Sequence, residues 1–171
     1  MKKIFPLILL IAIACEDNLN EESDVALTFI ATEGTFGDGD GAITVFKGGK
    51  QIQNISNVGD VVQALLIHDD KLFVLVNNSH MIKRYSIIGS GLSLPGFEIP
   101  TGNSSPREMV VTNNKLYFTN WNSKDVKVLN LETYAIESSI PIDGLPEDIV
   151  TDGTHLWISV PNLELYDTNN G

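Results

Sequence analysis

Two polar turns hold most of the side chains in this 171-residue sequence that could do chemistry: Asn77-Asn78-Ser79-His80 and Asn120-Trp121-Asn122-Ser123. Their amides offer hydrogen-bond donors and acceptors, and Trp121 adds an aromatic plane. Recognition surfaces use that combination to hold bulky ligands. Asparagine is also favoured where the backbone turns through positive φ, so turn chemistry competes as an explanation for the asparagines. No turn propensity accounts for Trp121, although packing between repeated units would. With Glu33, Phe36 and Arg107 from neighbouring loop segments, the candidate ligand-binding set is Glu33, Phe36, Asn77, Asn78, Arg107, Asn120, Trp121 and Asn122.

Catalytic chemistry has no comparable signal. The sequence contains no G-x-S-x-G elbow, H-E-x-x-H helix, phosphate loop or dinucleotide fingerprint, so the expectation is a protein that is not an enzyme and takes no cofactor. Asp38-Gly39-Asp40-Gly41 has the carboxylate spacing of a calcium loop without its later bidentate Glu, and reads as a Gly-rich hairpin turn. His68, His80 and His155 fall at unlike points of the repeat described next, which argues against a shared metal site.

The elements that must position these groups come as repeats. Lys71-Leu72-Phe73-Val74 returns as Lys115-Leu116-Tyr117-Phe118 and as His155-Leu156-Trp157-Ile158, at spacings of 44 and 40 residues, and Ala26-Leu27-Thr28-Phe29-Ile30 precedes them by a similar interval. Each copy follows a polar turn and a second apolar run, such as Val61 to Ile67 or Met109 to Val111. Short alternating runs bounded by Gly, Asn, Asp and Pro are strand and hairpin signals, and no helical period is evident beyond the leader. In the best unit, strand a spans Glu108–Thr112, b Leu116–Asn120, c Val126–Asn130 and d Ala135–Ile142. Four antiparallel strands per unit of about 40–45 residues predict an all-β fold, a β-propeller of four-stranded blades, with a β-sandwich or solenoid as competitors. The b–c and d–a loops, at 33–41, 77–81, 99–107, 120–124 and 143–147, should share one face.

Pro106 to Leu131, P-R-E-M-V-V-T-N-N-K-L-Y-F-T-N-W-N-S-K-D-V-K-V-L-N-L, resembles the YVTN-type blade, in which Pro opens strand a and Y-V-T-N closes strand b; here Phe118 replaces the Val. Gly144-Leu145-Pro146-Glu147-Asp148 repeats the opening, and the segment from Ala31 resembles the start of YncE-like surface propeller lipoproteins of the Bacteroidetes type. The resemblance spans Val25 to Gly171. It implies a binding module, some members working with TonB-dependent transporters, and related cobalamin-capturing lipoproteins make a corrinoid the leading ligand. A non-catalytic scaffold for protein or surface-polymer contacts is the alternative, and a propeller enzyme the third.

Export is written into the first residues. Lys2 and Lys3 precede an apolar run, Ile4 to Ala14, that is shorter than the roughly 20 residues a membrane span needs. Ala12-Ile13-Ala14-Cys15 resembles a lipobox, so 1–14 is expected to be a signal peptide and Cys15 the lipidated N-terminus. Residues 15–24, E-D-N-L-N-E-E-S-D after the cysteine, read as an acidic tether that cannot bury enough surface to fold. The partners implied are a membrane, through the lipid, and an outer-membrane or cell-surface location. Loss of Lys2 and Lys3 leaves nine basic residues against 22 acidic ones, a formal charge of −13, which excludes nucleic acid as a partner.

Residues 25–171 supply strands b, c, d, then two full units, then a, b, c, or about three and a half blades with duplicated ends. The expectation is an incomplete ring whose remaining blades lie in further sequence, with open sheet edges at both ends.

Overall fold

The structure, a computed structural model, describes residues 26–161. The leader, Cys15, the tether and the last strand expected before Asp167 lie outside that span. Among the described residues, fourteen strands form four antiparallel sheets. The first sheet is β1 (Leu27–Thr32), β2 (Gly41–Lys47) and β3 (Lys50–Gly59), in that order. The second is β4 (Val62–His68), β5 (Lys71–Val76) and β6 (Met81–Ile88), with β7 (Gly91–Leu92) and β8 (Phe97–Pro100) both paired to β6. The third is β9 (Pro106–Thr112), β10 (Lys115–Asn120), β11 (Asp125–Asn130) and β12 (Ile136–Pro141). β13 (Ile149–Thr151) and β14 (Leu156–Ile158) form the fourth.

Tight hairpins join consecutive strands where the residues tolerate positive φ. Gly48-Gly49 (φ 57° and 75°) links β2 to β3, and Asn113-Asn114 (φ 49° and 57°) links β9 to β10, the double positive-φ turn whose twist matches that of its strands. Register then follows: Tyr117 stands opposite Val110, and Phe73 opposite Leu66.

Burial shows how the sheets stack. Leu72 to Val76 of β5 are all buried, so both faces of this strand are covered. Leu72, Val74 and Val76 pack with Ile43 and Val45 of the first sheet, whereas Phe73 and Leu75 pack with Leu116 and Phe118 of the third. A sandwich would cover each sheet once; here the second sheet lies between two others, which is the radial stacking of propeller blades. β4, β9 and β13 touch in turn and form the inner edge, while β12 is exposed along its whole length and forms the outer one.

The second blade departs from the sequence reading. Val61 lies at φ 61°, so strand a begins at Val62, and the outer strand is split: β8 pairs the first half of β6 and β7 the second. Gly89 to Gly96 supply the excursion, and the Gln53 amide of the first blade binds both the N–H (2.7 Å) and the carbonyl (3.0 Å) of Leu92, taking the place of a neighbouring strand.

Asp125, 5% exposed, lies at the start of β11. Its carboxylate accepts hydrogen bonds from Ser123 Oγ (2.6 Å), Lys127 Nζ (2.7 Å) and the Ser139 hydroxyl. Burial pushes its pKa up from 3.8, but those three hydrogen bonds and the Lys127 charge outweigh it and hold the group below that value. A carboxyl depressed by folding contributes stability above its unfolded pKa and loses it as pH falls through the folded value. Asp125→Asn should therefore cost about 2–3 kcal/mol in urea unfolding at pH 7, by leaving Lys127 without its counter-charge. Its stability should also fall less steeply than wild type as pH drops below about 4.

Candidate functional site

The loops expected to share a face do so, because backbone hydrogen bonds tie the b–c loops of the second and third blades to the loops that enter those blades, and the first b–c loop to the second blade through Val62 N–H and the Glu33 carbonyl. Asn77 N–H donates to the Val61 carbonyl (2.8 Å) and Asn78 N–H to that of Asp60 (3.1 Å). Forty-four residues on, Trp121 N–H donates to Ser105 (3.0 Å) and Asn122 N–H to Ser104 (3.0 Å). The d–a side is tied as well, Thr101 N–H to the His80 carbonyl and Ile142 N–H to that of Lys124, both at 2.9 Å. Asn77 is thus level with Trp121, and Asn78 with Asn122.

At the inner edge of this face, Gln63 and Arg107 are the second residues of β4 and β9, and Glu147, which follows Pro146 just ahead of β13, holds the corresponding place in the sequence repeat. Arg107 reaches both neighbours. Its Nε and Nη2 donate to the Glu147 carboxylate (2.6–3.1 Å), and its Nη1 donates to Gln63 Oε1 at 3.0 Å. The guanidinium lies 4.3 Å from the Trp121 ring centre, a cation–π contact. Arg107 is therefore a clasp across three blades, with most of its donors engaged within the fold.

The residue after each of the last two, Glu108 in β9 and Asp148 just ahead of β13, is acidic and folds back on the adjoining backbone. Glu108 Oε1 accepts from Met109 N–H and Asp148 Oδ1 from Ile149 N–H, both at 2.8 Å, while the Thr119 and Ser159 hydroxyls accept from the N–H of Glu108 and Asp148. Burial raises the Glu108 pKa, with the charges of Asp148 and Glu147 adding to it, against the opposing Met109 bond.

Several of the other candidate amides are also used internally. Asn77 Nδ2 donates to the Pro106 carbonyl (2.9 Å), joining the second blade to the third. Asn78 Nδ2 binds Asp60 at 2.5 Å. Asn120 is fully buried at the end of β10, its Nδ2 directed to the carbonyls of Phe118 (3.0 Å) and Asp125 (3.4 Å), so it is a strand residue out of reach of a ligand on the face. Asn122 is exposed and makes a long 3.4 Å contact to the Asn103 carbonyl. The Glu33 side chain is exposed, and its carbonyl accepts from Val62 N–H (3.1 Å). Phe36 is 76% exposed on a loop pinned by Asp40, which takes the Thr35 N–H (2.6 Å), and by Asp60, which takes the Gly37 N–H (3.0 Å). Asp60, Gln63 and Glu147 were not among the sequence candidates; the last two could have been found by aligning residues that follow the strand-opening position.

A concavity of about 470 Å³ lies at the outer rim between β3 and β8, lined by Ile55, Tyr85, Leu94 and Pro95 with the Lys83–Glu98 ion pair.

No family model matches the sequence, and no curated protein does. Solved structures share the fold. A functionally unknown protein from Desulfotomaculum acetoxidans matches 78% of this chain at 16% identity, with a TM-score of 0.66, over 45% of its own length. The β-propeller domain of Cps50 (Swd1) from Myceliophteria thermophila matches 77% at 9% identity (TM-score 0.64, 43% of that chain), and a luciferin-regenerating enzyme matches 76% at 12% identity (TM-score 0.61, 47% of that chain). The chain thus spans less than half the length of these three structures. The likeness is one of fold: an all-β, four-stranded-blade propeller.

Removing the clasp tests its weight. Arg107→Ala should lower unfolding stability by about 2 kcal/mol, a bidentate pair that is partly screened by water. It should also shift the Trp121 fluorescence, whereas Arg107→Lys, lacking the planar fork, should recover less than half of the loss.

Proposed function

We propose that this chain is a binding module of the YVTN type, held at a bacterial surface by a lipid on Cys15, whose loop face captures a bulky ligand for an outer-membrane TonB-dependent transporter. A corrinoid is the first ligand to test. The observation that carries the reading is the construction of the face: loops from three blades are tied together by backbone bonds, so Phe36 and Asn122 are presented on a rigid support. Preorganised polar and aromatic groups limit the ordering cost of binding. The propeller fold itself supports a binding or scaffolding role without selecting a ligand.

A second reading, a scaffold for protein contacts, is favoured by one feature. With the Asn77, Asn78 and Arg107 donors engaged internally, the most exposed anchor left on the face is the apolar Phe36.

Titration of the full chain with cyanocobalamin separates them. The capture reading expects saturable binding, weakened about tenfold by Phe36→Ala (about 1.4 kcal/mol) with unfolding unchanged. Absence of binding at about 100 μM, an affinity weaker than about −5.5 kcal/mol, removes the corrinoid. Metabolic labelling with palmitate tests the anchor: label should be incorporated by the chain and lost in Cys15→Ser.

A further inference from the structure

His80 ends the second b–c loop in the left-handed region, at φ 51°, and is bonded at three points. Its N–H donates to the Asn77 carbonyl (3.1 Å), its carbonyl accepts from Thr101 N–H (2.9 Å), and its ring Nδ1 accepts from Ser105 N–H (3.1 Å). A backbone N–H can only donate, so Nδ1 carries a lone pair and the ring is the neutral tautomer with its proton on Nε2. The Ser105 hydroxyl lies 3.5 Å from the same Nδ1.

The segment held by this ring is tightly wound. Gly102, Asn103 and Ser105 have φ of 74°, 55° and 53°, a region that residues other than glycine adopt at a cost. Its start is fixed by the buried Thr101 and Ser104, whose hydroxyls bond at 2.9 Å. Its end passes the constraint to the third blade. The Ser105 carbonyl accepts from Trp121 N–H and that of Ser104 from Asn122 N–H, and the Trp121 ring lies against the Arg107 guanidinium. Ser105 thus joins the His80 ring on one blade to Trp121 on the next through its own N–H and C=O.

The repeat does not require a histidine here. Lys124, at the same place in the third blade, has φ 50°, and its carbonyl accepts from Ile142 N–H as that of His80 does from Thr101 N–H. Lysine has no acceptor, so this turn forms without a bond of the ring's kind. We propose that His80 is a proton-operated latch on the loop face: neutral, it holds Ser105 and through it Trp121; charged, it releases both. Histidine is the side chain that changes charge within about pH 5–8. Protonation places a hydrogen on Nδ1 directly opposite the Ser105 N–H, and two donors do not share a hydrogen-bond distance. The Ser105 hydroxyl accepts the new proton only once the N–H has turned away. No carboxylate lies within ion-pair range of His80 among the described residues, whereas His68 and His155 each have one. The charged groups on the elements around it are otherwise engaged or further along them: Asp60 is bound by Asn78, Lys83 pairs with Glu98, Arg107 pairs with Glu147, and Lys124 closes the next turn. The latch needs no ligand, so its test is independent of what the face binds.

The full chain in detergent carries Trp157→Phe, an exposed position, so that its emission reports Trp121 alone. Emission should change reversibly as pH falls from about 8 to 5, with circular dichroism constant. Ser105 N–H protection, measured by NMR relative to its intrinsic exchange rate, should fall about tenfold over the same range, the weight of one hydrogen bond. His80→Asn keeps an acceptor and tolerates positive φ, and should hold the high-pH emission throughout. His80→Lys, charged and without an acceptor, should show the low-pH emission throughout. Ring nitrogen shifts of the wild type should show Nδ1 gaining its proton in step with both changes, a readout that needs no variant to fold. An emission change that persists in His80→Asn, or a ring that charges while Ser105 protection and Trp121 emission stay constant, overturns the proposal.

Discussion

A strand with apolar side chains on both faces has no stable place at the surface of a single sheet. Leu72, Val74 and Val76 of β5 need one neighbour, and Phe73 and Leu75 need another. The radial order of the blades follows from that requirement, at about 25 cal/mol for each Å² of apolar surface removed from water. Each sheet contacts only the sheets before and after it, so stability accumulates junction by junction and is lowest where a neighbour is lacking. Among the described residues, Trp157 and Val150 are exposed at one end of the arc and Ile30 at the other.

Polar groups reinforce the stacking at the inner edge. Arg107 binds the residues one blade behind and one blade ahead, and Asn77 reaches the backbone of the next blade at Pro106. These bonds cross the apolar junctions at the end where the loops emerge. The loop face inherits its rigidity from the core: a side chain such as Phe36 is held through Asp40 and Asp60 and needs little ordering of its own.

Much of this architecture was readable from the residues, for definite reasons. The recurrence of Leu72-Phe73, Leu116-Tyr117 and Leu156-Trp157 reports alternate faces of one strand, and Gly48-Gly49 and Asn113-Asn114 report turns that require positive φ. The split outer strand of the second blade was not readable, because β7 has two residues and depends on Gln53, 39 positions away, for its second partner. The site was read less well than the fold. An asparagine beside a turn has the same appearance whether it faces water, as Asn122 does, or is buried like Asn120, because burial there depends on how the adjoining strands converge.

The sequence Gln63, Arg107, Glu147 along the inner edge also bears on how such a fold can be rearranged. The backbones of successive blades are near copies, but their edge residues are acceptor, cation and anion in that order. Duplicating the third blade would put two guanidinium groups side by side, and exchanging it with the fourth would set Glu147 against Gln63. The repeat is uniform in shape and directional in chemistry. Blade order is therefore encoded in a single column of side chains, and recombination among blades is constrained even where the strands themselves would fit.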